Sequence, residues 1–315
     1  MKYLLGIDIG GTKCAVSLGN RESEVLARRE LATVKDPGEM LEAIFAEAGS
    51  LMKEGESLEA IGIVCGGPLD IARGRIMSPP NLPRWDDIAV VEYFSGKFGV
   101  PGFLQNDANA GALAEWRLGA GRGSNNMMFC TMGTGFGCGL ILGGRLFEGV
   151  NGNAGELGHV RLTQRGPIGY GKSGSVEGWC SGGGIAQIAE NRIEELKKDG
   201  AQSLLLESGT LTAQSVAQAA DQGDDLAQRI YAEVGEHLGS TLAMAIDILN
   251  LETIVIGSIF LRSEALIRPS MERVLKLECL PGALEACRIK PAELGEKIGD
   301  VASLTVALEG IKGTL

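Results

Sequence analysis

Two short glycine-rich segments hold the residue types that grip phosphate. The first is Asp8-Ile9-Gly10-Gly11-Thr12-Lys13; the second is Gly133-Thr134-Gly135-Phe136-Gly137. Glycine lets backbone N–H groups come close to an anion, and threonine hydroxyls add donors. The acid in the first segment, Asp8, would repel phosphate on its own. It makes sense if it positions Mg²⁺, which in turn holds the phosphates. A dinucleotide-binding loop is the rival, but that loop must open a helix whose N-terminus meets the pyrophosphate. Both segments here run instead into apolar strands, Cys14 to Leu18 and Leu140 to Leu142. Ordinary hairpin turns would also use glycine without any ligand. Two similar turns, one in each half of the chain, weigh against that.

A second group of residues suits a polyhydroxy substrate. Asn106-Asp107 stands where a strand gives way to a helix. Either residue could cap that helix. Equally, ligands of open α/β sheets gather at the carboxyl ends of strands, and a carboxylate there can take the proton of an attacking hydroxyl. The residue types alone leave both readings open. Gly155-Glu156-Leu157-Gly158-His159 lies in a stretch rich in glycine and asparagine, and Gly174-Ser175-Val176-Glu177 brings another acid to a helix start. There a glutamate also complements the helix dipole. Of the two histidines, His237 sits in a helical run and reads as structural, whereas His159 is the site candidate.

These residues need a scaffold, and its elements are legible. A hairpin is expected from Leu4 to about Leu18, and an amphipathic helix over Glu39–Met52, with Met40, Ile44, Phe45, Ala48, Leu51 and Met52 at helical spacing. Strands follow at Ala60–Cys65 and Val100–Gln105, then an alanine-rich helix at Ala108–Leu118. The pattern then restarts with a strand at Asn126–Met132, a glycine turn and Leu140–Leu142. Helices are expected at Gly184–Lys198, Leu211–Ala220 and Asp225–Leu249, and a strand at Thr253–Ile256 before Gly257. Alternating strands and helices imply a mainly parallel α/β sheet. Two halves that each open with strand, glycine turn, strand imply a duplication, with the boundary near Glu115 to Gly123.

Composition excludes several classes. With 29 Lys and Arg against 40 Asp and Glu in 315 residues, the net charge is −11, which opposes a nucleic-acid partner. There is no apolar stretch of about 18 residues to span a membrane, and Asp8 stands too early for a signal peptide. Seven scattered cysteines, an odd number, read as reduced thiols in a cytoplasmic protein. Glycine is the outlier at 47 residues, roughly twice the usual share of about 7%.

Taken in order, the motifs resemble those of the ROK family of sugar kinases, which have the actin/hexokinase/Hsp70-like ATPase fold. Asp8–Lys13 is similar to that family's first phosphate motif and Thr134-Gly135-Phe136-Gly137 to its second. Gly66-Gly67-Pro68-Leu69-Asp70 resembles its Pro-Gly-Pro-Val-Asp loop, and Asn81-Leu82-Pro83, with Trp85 just after, its sugar-contacting loop. Asn106-Asp107-Ala108-Asn109-Ala110 resembles the catalytic segment, and Glu156-Leu157-Gly158-His159 the Glu-x-Gly-His motif. The likeness covers nearly the whole chain. Family members usually carry Cys-x-Cys-Gly-x-x-Gly-Cys-x-Glu, whose three cysteines join the histidine on a structural zinc. Here those three positions are Ile168, Tyr170 and Ser175, while Glu177 and the glycines remain. One histidine cannot supply the four ligands zinc wants, so no zinc site is expected. The family's late Gly-Gly is Gly257-Ser258 here, and the small-residue pattern of its last helix is blurred after Gly299-Asp300.

The resemblance implies a two-lobed, duplicated actin/hexokinase-like (ribonuclease H-like) α/β fold with a nucleotide cleft between the lobes. The expected lobes are 1–118, completed by a C-terminal helix over 301–315, and 119–300, carrying the second phosphate loop and a dimer surface. The implied activity is transfer of the γ-phosphoryl of ATP to a hexose or N-acetylhexosamine, with Asp107 as catalytic base. ATP would meet Asp8, Gly10, Gly11, Thr12, Lys13, Thr134, Gly135 and Gly257, and Asp8 would face Mg²⁺ through water. The sugar would meet Gly67, Asn81, Asn106, Asp107, Glu156, His159 and Glu177. A homodimer is implied, with sugar and ATP as the only partners. The rival from another class is a sugar-sensing regulator related to ROK repressors. Those carry an N-terminal helix-turn-helix, for which a chain opening on its first strand is expected to have no room.

Overall fold

The structure is a computed structural model that describes residues 2–199 and 202–315. Contacts divide it into two units. The first comprises 1–123, 139–154 and 294–315; the second comprises 124–138 and 155–293.

The first unit opens with β1 (Lys2–Ile9), β2 (Lys13–Gly19) and β3 (Val25–Ala32), followed by α1 (Pro37–Leu51), β4 (Ser57–Cys65), the short β5 (Leu69–Asp70) and β6 (Arg75–Ile76), α2 (Val90–Phe98), β7 (Gly102–Asn106) and α3 (Asp107–Leu118). The chain continues with β8 (Met127–Met132), β9 (Phe136–Leu142) and β10 (Arg145–Leu146). Next come β11 (Ile168–Gly169), β12 (Lys172–Ser173), α4 (Val176–Cys180), α5 (Gly182–Asp199), α6 (Ala213–Asp221), α7 (Asp225–Leu249), β13 (Thr253–Ser258), α8 (Ile259–Glu278), α9 (Pro281–Ala286), β14 (Arg288–Pro291) and α10 (Ile298–Lys312).

The expected duplication is visible in strand order. One sheet runs β3-β2-β1-β4-β7 and the other β10-β9-β8-β13-β14. In each, the first strand of the half lies at the centre, a meander spreads to one side, and two parallel strands extend the other. The hairpin of β1 and β2 pairs Asp8 with Ala15 and Ile9 with Cys14, so the glycine turn falls at the strand end. Elements the sequence reading passed over are β3, α2, α8, α9, β14, the two-residue strands β5, β6, β10, β11 and β12, and the first residues of β9.

The β1 strand is apolar on both faces because both faces are covered. Leu5, Ile7 and Ile9 join Val16, Met40, Ile44, Ile61 and Ile63 in the main core. Leu4 and Ala60 pack on the opposite face against Leu304 and Ala307 of α10. That helix lies so close that a Cβ at Gly62 would sit 1.9 Å from the Ser303 carbonyl oxygen, so only glycine fits there. Glu309 of α10 is fully buried and accepts from Arg117 of α3 at 2.6 Å and from Lys312 at 3.0 Å; burial raises its pKa, but these bonds and that from Thr314 lower it on balance. In the second unit, α7 packs on α8, and Trp179 stacks on His237 with ring centroids 3.9 Å apart. Burial lowers the His237 pKa, against the smaller opposing pull of Glu233 and Glu236. A packed, stacked ring is a structural role.

Candidate functional site

In the first unit, strand ends and helix starts carry the polar groups. Asp8 sits near the end of β1, half-buried, beside a turn closed by the Gly10 N–H on the Lys13 carbonyl at 3.1 Å. A Cβ at Gly299 would stand 2.3 Å from Asp8 Oδ2, so the start of α10 lies against this carboxylate. Burial, then the charges of Asp107 and Asp300, push Asp8 up to about 6; Lys13 and Arg28 pull the other way. Asp300 is itself held by Ser17 Oγ at 2.7 Å and Arg28 Nε at 2.8 Å. Lys13 is exposed and reaches Glu30 at 3.1 Å.

Asn106 ends β7 in extended conformation and is the N-cap of α3. Its Oδ1 accepts from the Ala108 N–H at 2.9 Å. Asp107 is the first residue of that helix, and its Oδ1 shares the same N–H at 2.8 Å. Asn106 therefore does the capping, and Asp107 stands beside it with Oδ2 left over. Asp107 is exposed at the surface, yet the protein atoms crowded around its carboxyl raise its pKa, more than the Ala108 N–H and its own N–H lower it. The glycine pair at 66–67 lies alongside. A Cβ at Gly66 would be 3.9 Å from Asp107 Oδ2 and 4.0 Å from Asn81 Nδ2; one at Gly67 would be 3.6 Å from Asn106 Nδ2. The Asn81 carbonyl oxygen would be 2.4 Å from a Cβ on Gly11, which places the Asn81 loop against the first glycine turn. Asp8, Gly10–Thr12, Gly67, Asn81, Asn106 and Asp107 are thus gathered within one unit.

In the second unit a different set comes together. Thr134 and Gly135 form the turn before β9, with the Gly133 N–H on the Gly135 carbonyl at 3.0 Å. Glu177, in the first turn of α4, accepts the Phe136 N–H on Oε2 at 3.1 Å. A Cβ on Gly158 would meet the Phe136 carbonyl oxygen at 2.2 Å, so the short helical turn Leu157–His159 lies on the same strand. Glu156 is exposed. His159 meets the edge of Tyr170 at 4.8 Å, and its carbonyl accepts from Lys172 Nζ at 2.6 Å. Gly257 is buried at the end of β13, against the Phe129 ring.

The segment that resembles the zinc motif is organised by hydrogen bonds. Ser175 Oγ accepts the Gly178 N–H at 3.1 Å and donates to the Lys172 carbonyl at 3.1 Å. Gln187 clamps Ile168 through both its backbone N–H and its carbonyl, each at 2.9 Å. Ser173 Oγ bridges Gly166, and Trp179 Nε1 donates to Thr163 Oγ1 at 2.9 Å. Ile168 and Tyr170 point out to solvent at 56% and 60% exposure. Among the described residues, no group of three or more His, Cys, Asp or Glu could hold a metal ion.

Sequence reasoning missed two contributors to the first set, Gln105 and Gly299. Gln105 is a polar side chain in a buried strand, only 1% exposed. That alone was a signal, because a buried amide needs partners. Gly299 was noted only as the start of a blurred pattern.

With this geometry in view, the comparison with known proteins is direct. The family model for the ROK family matches residues 4–308. The chain belongs to the ROK family. It is 31% identical over 307 residues to the glucokinase of Halalkalibacterium halodurans, covering 95% of this chain and 92% of that protein. It is 29% identical, with a TM-score of 0.79, to a ROK family glucokinase from Streptomyces griseus solved with glucose and AMPPNP; 98% of this chain and all of the other are covered. It is also 29% identical over 284 residues to the DNA-binding transcriptional dual regulator NagC of Escherichia coli strain K12, covering 88% of this chain and 68% of the regulator. Mixed α/β architecture and the repeated strand order make this the actin/hexokinase-like fold of the ROK kinases, as the resemblance implied.

Proposed function

We propose that this ROK protein is an ATP-dependent sugar kinase that phosphorylates a hydroxyl of a hexose or N-acetylhexosamine. The observation that carries the reading is the placement of Asp107. Its free Oδ2 lies at a strand end among Asn81, Asn106 and the 66–67 glycines, and the surrounding protein atoms raise its pKa. Asp107 takes the proton of the sugar hydroxyl as that oxygen attacks the γ-phosphorus, whose bond to the β,γ-bridging oxygen breaks so that ADP leaves. Asn81, Asn106, the Gly67 backbone, Glu156, His159 and Glu177 hold the other hydroxyls. Backbone N–H groups at Gly10–Thr12 and at Thr134–Gly135 receive phosphate oxygens, and Gly257 leaves room for the nucleoside. Phosphoryl transfer asks for little more than positioning and charge stabilisation.

Mg²⁺ suits the residues present. Asp8 is a carboxylate disfavoured by burial and two acidic neighbours, which a cation would relieve. One carboxylate plus substrate phosphates is also how Mg²⁺ is usually held. When bound, the ion neutralises charge on the phosphates. Asp8 orients its water shell, and Lys13 adds positive charge nearby. Zinc has no part in the proposal. Elemental analysis of untagged protein is expected to find no stoichiometric zinc; one tightly held zinc per chain would mean that residues such as Cys180 serve as ligands.

All seven cysteines are buried thiols, and no helix among the described residues is long and apolar enough to cross a membrane. With the acidic charge, these features support a cytoplasmic protein without a nucleic-acid partner; a homodimer follows the family. The similarity to NagC favours one other reading, a sugar-sensing regulator without catalysis. ATP consumption measured against a panel of glucose, N-acetylglucosamine, N-acetylmannosamine, fructose and allose separates the two. Turnover with any of them is the expected result. Sugar binding with no turnover would leave the regulator.

A further inference from the structure

Behind Asp107 lies a buried amide relay that the proposed chemistry has not yet used. Gln105 folds its side chain over the end of β7. Its Oε1 accepts the Asn106 backbone N–H at 2.8 Å and Asn109 Nδ2 at 3.1 Å, while its Nε2 donates to Glu148 Oε1 at 3.0 Å. Gln105 and Asn109 are 1% and 2% exposed, and Glu148 is half-buried. These partners determine the orientation of the amide. Turned over, it would set its NH₂ against two donors and its oxygen against a carboxylate. The relay bears on the site through Asn106, whose N–H it holds and whose Oδ1 caps α3 at Ala108, the N–H that Asp107 Oδ1 also shares. The other end is anchored as well, because the Glu148 carbonyl accepts the Ala154 N–H at 3.1 Å.

We propose that Gln105, held by Glu148, is the positioning residue for Asp107. It fixes the Asn106 peptide and hence the direction in which the Asp107 carboxylate leaves the first turn of α3. The inference rests on the reading of Asp107 as the base. Glutamine is the fitting residue at 105, since it accepts from two donors and also donates to a carboxylate. A glutamate can accept but cannot donate to an ionised Glu148, and two carboxylates about 3 Å apart repel.

The test is a charge swap. Gln105→Glu should lower kcat at least about tenfold, because small misplacements of a catalytic group are costly, while KM for ATP stays within about twofold. Glu148→Gln should cost less, because the new amide oxygen still accepts from Gln105. The double variant Gln105→Glu/Glu148→Gln restores a donor facing an acceptor and should regain most of the lost kcat. A merely structural relay would not show that recovery in kcat with an unmoved KM for ATP. Retention of kcat within about twofold in Gln105→Glu would sink the idea, as would a double variant no better than the single. Thermal midpoints are recorded for each protein. If Gln105→Glu does not fold, the isosteric Gln105→Met is read instead, with the same loss of kcat expected and an unchanged kcat decisive against the proposal. Failure of the underlying reading looks different: the wild type turns over no sugar, or Asp107→Asn keeps wild-type turnover.

Discussion

The two sets of site residues are built in contrasting ways. In the first unit, Asp8, Asn106 and Asp107 stand on strand ends and a helix start, and Asp8 feels the charges of Asp107 and Asp300. In the second, Glu156 and His159 ride a three-residue helical turn and Glu177 a five-residue helix, held by side-chain hydrogen bonds such as those of Ser175 and Gln187. Groups that move a proton need rigid supports and perturbed electrostatics. Groups that sort one sugar from another suit loops, which can vary without disturbing the core. On the proposed reading, the base and the metal-facing carboxylate stand on regular elements, whereas Glu156, His159 and Glu177 ride short turns that can vary more freely.

Removing the proposed base breaks the first side of this contrast most sharply. Asp107→Asn keeps the shape and the Ala108 contact but removes basicity, so kcat should fall by about 10²–10⁴-fold with the fold intact. Turnover near that of the wild type would show that another group takes the proton.

Asp8→Asn comes next, and it should separate activity from stability. Its pKa lies above the ordinary carboxylate value, at about 6, so the folded state holds the proton more readily than the unfolded chain. The sign follows: this group favours folding at low pH, and that contribution is lost as pH rises from about 4 through about 6. At pH 7 the asparagine variant should therefore melt a few degrees higher while kcat/KM for ATP drops at least about tenfold, the loss of a metal-facing carboxylate. In the wild type the same titration should set an acid limb of kcat/KM for ATP near pH 6 rather than near 4. A lower melting point for Asp8→Asn would show that α10 needs the charge.

The recognition side should respond more mildly. Glu156→Gln and Glu177→Gln each leave a sugar hydroxyl poorly matched, and a lost polar partner of this kind costs about 1–3 kcal/mol, so KM for sugar should rise roughly tenfold. Because Glu177 also accepts the Phe136 N–H in the second glycine turn, its variant should move KM for ATP as well. Glu156→Gln should leave that constant alone. Steady-state kinetics with each substrate varied decides it, and an effect confined to ATP in both variants would remove this loop from the sugar site. The smallest effect is expected at Ser175→Ala, which deletes the α4 cap for a cost of roughly 1 kcal/mol. Faster proteolysis between residues 163 and 177 is the readout, and unchanged protection would mean that Gln187 and Trp179 suffice to hold the segment.

Much of this was legible because it is local. A glycine turn after an apolar run, a cap before an alanine-rich helix, and the helical period of α1 and α7 are all written within a dozen residues. What escaped was of two kinds. Some elements hide their period: β3 is an exposed strand of mixed charge, and α8 carries Pro269 and a non-helical Ser263 that break its pattern. Other features exist only between distant residues. Gln105 meets Glu148 across 43 positions, and Ser17 meets Asp300 across 283.

By itself the sequence determined the two glycine turns and most of the strands and helices, because each depends on neighbours along the chain; the candidate base was singled out by the resemblance of the motifs, since the residue types left cap and base both open. Tertiary structure alone decided that Asn106 rather than Asp107 caps α3, that Gly299 lies against Asp8, that Glu177 serves the second glycine turn, and that hydrogen bonds order the segment around Ser175. The physical reason is the same in each case. A hydrogen bond or a raised pKa depends on distance in space, and a spacing along the chain becomes a distance only once the sheets have paired and α10 has packed across β1 and β4.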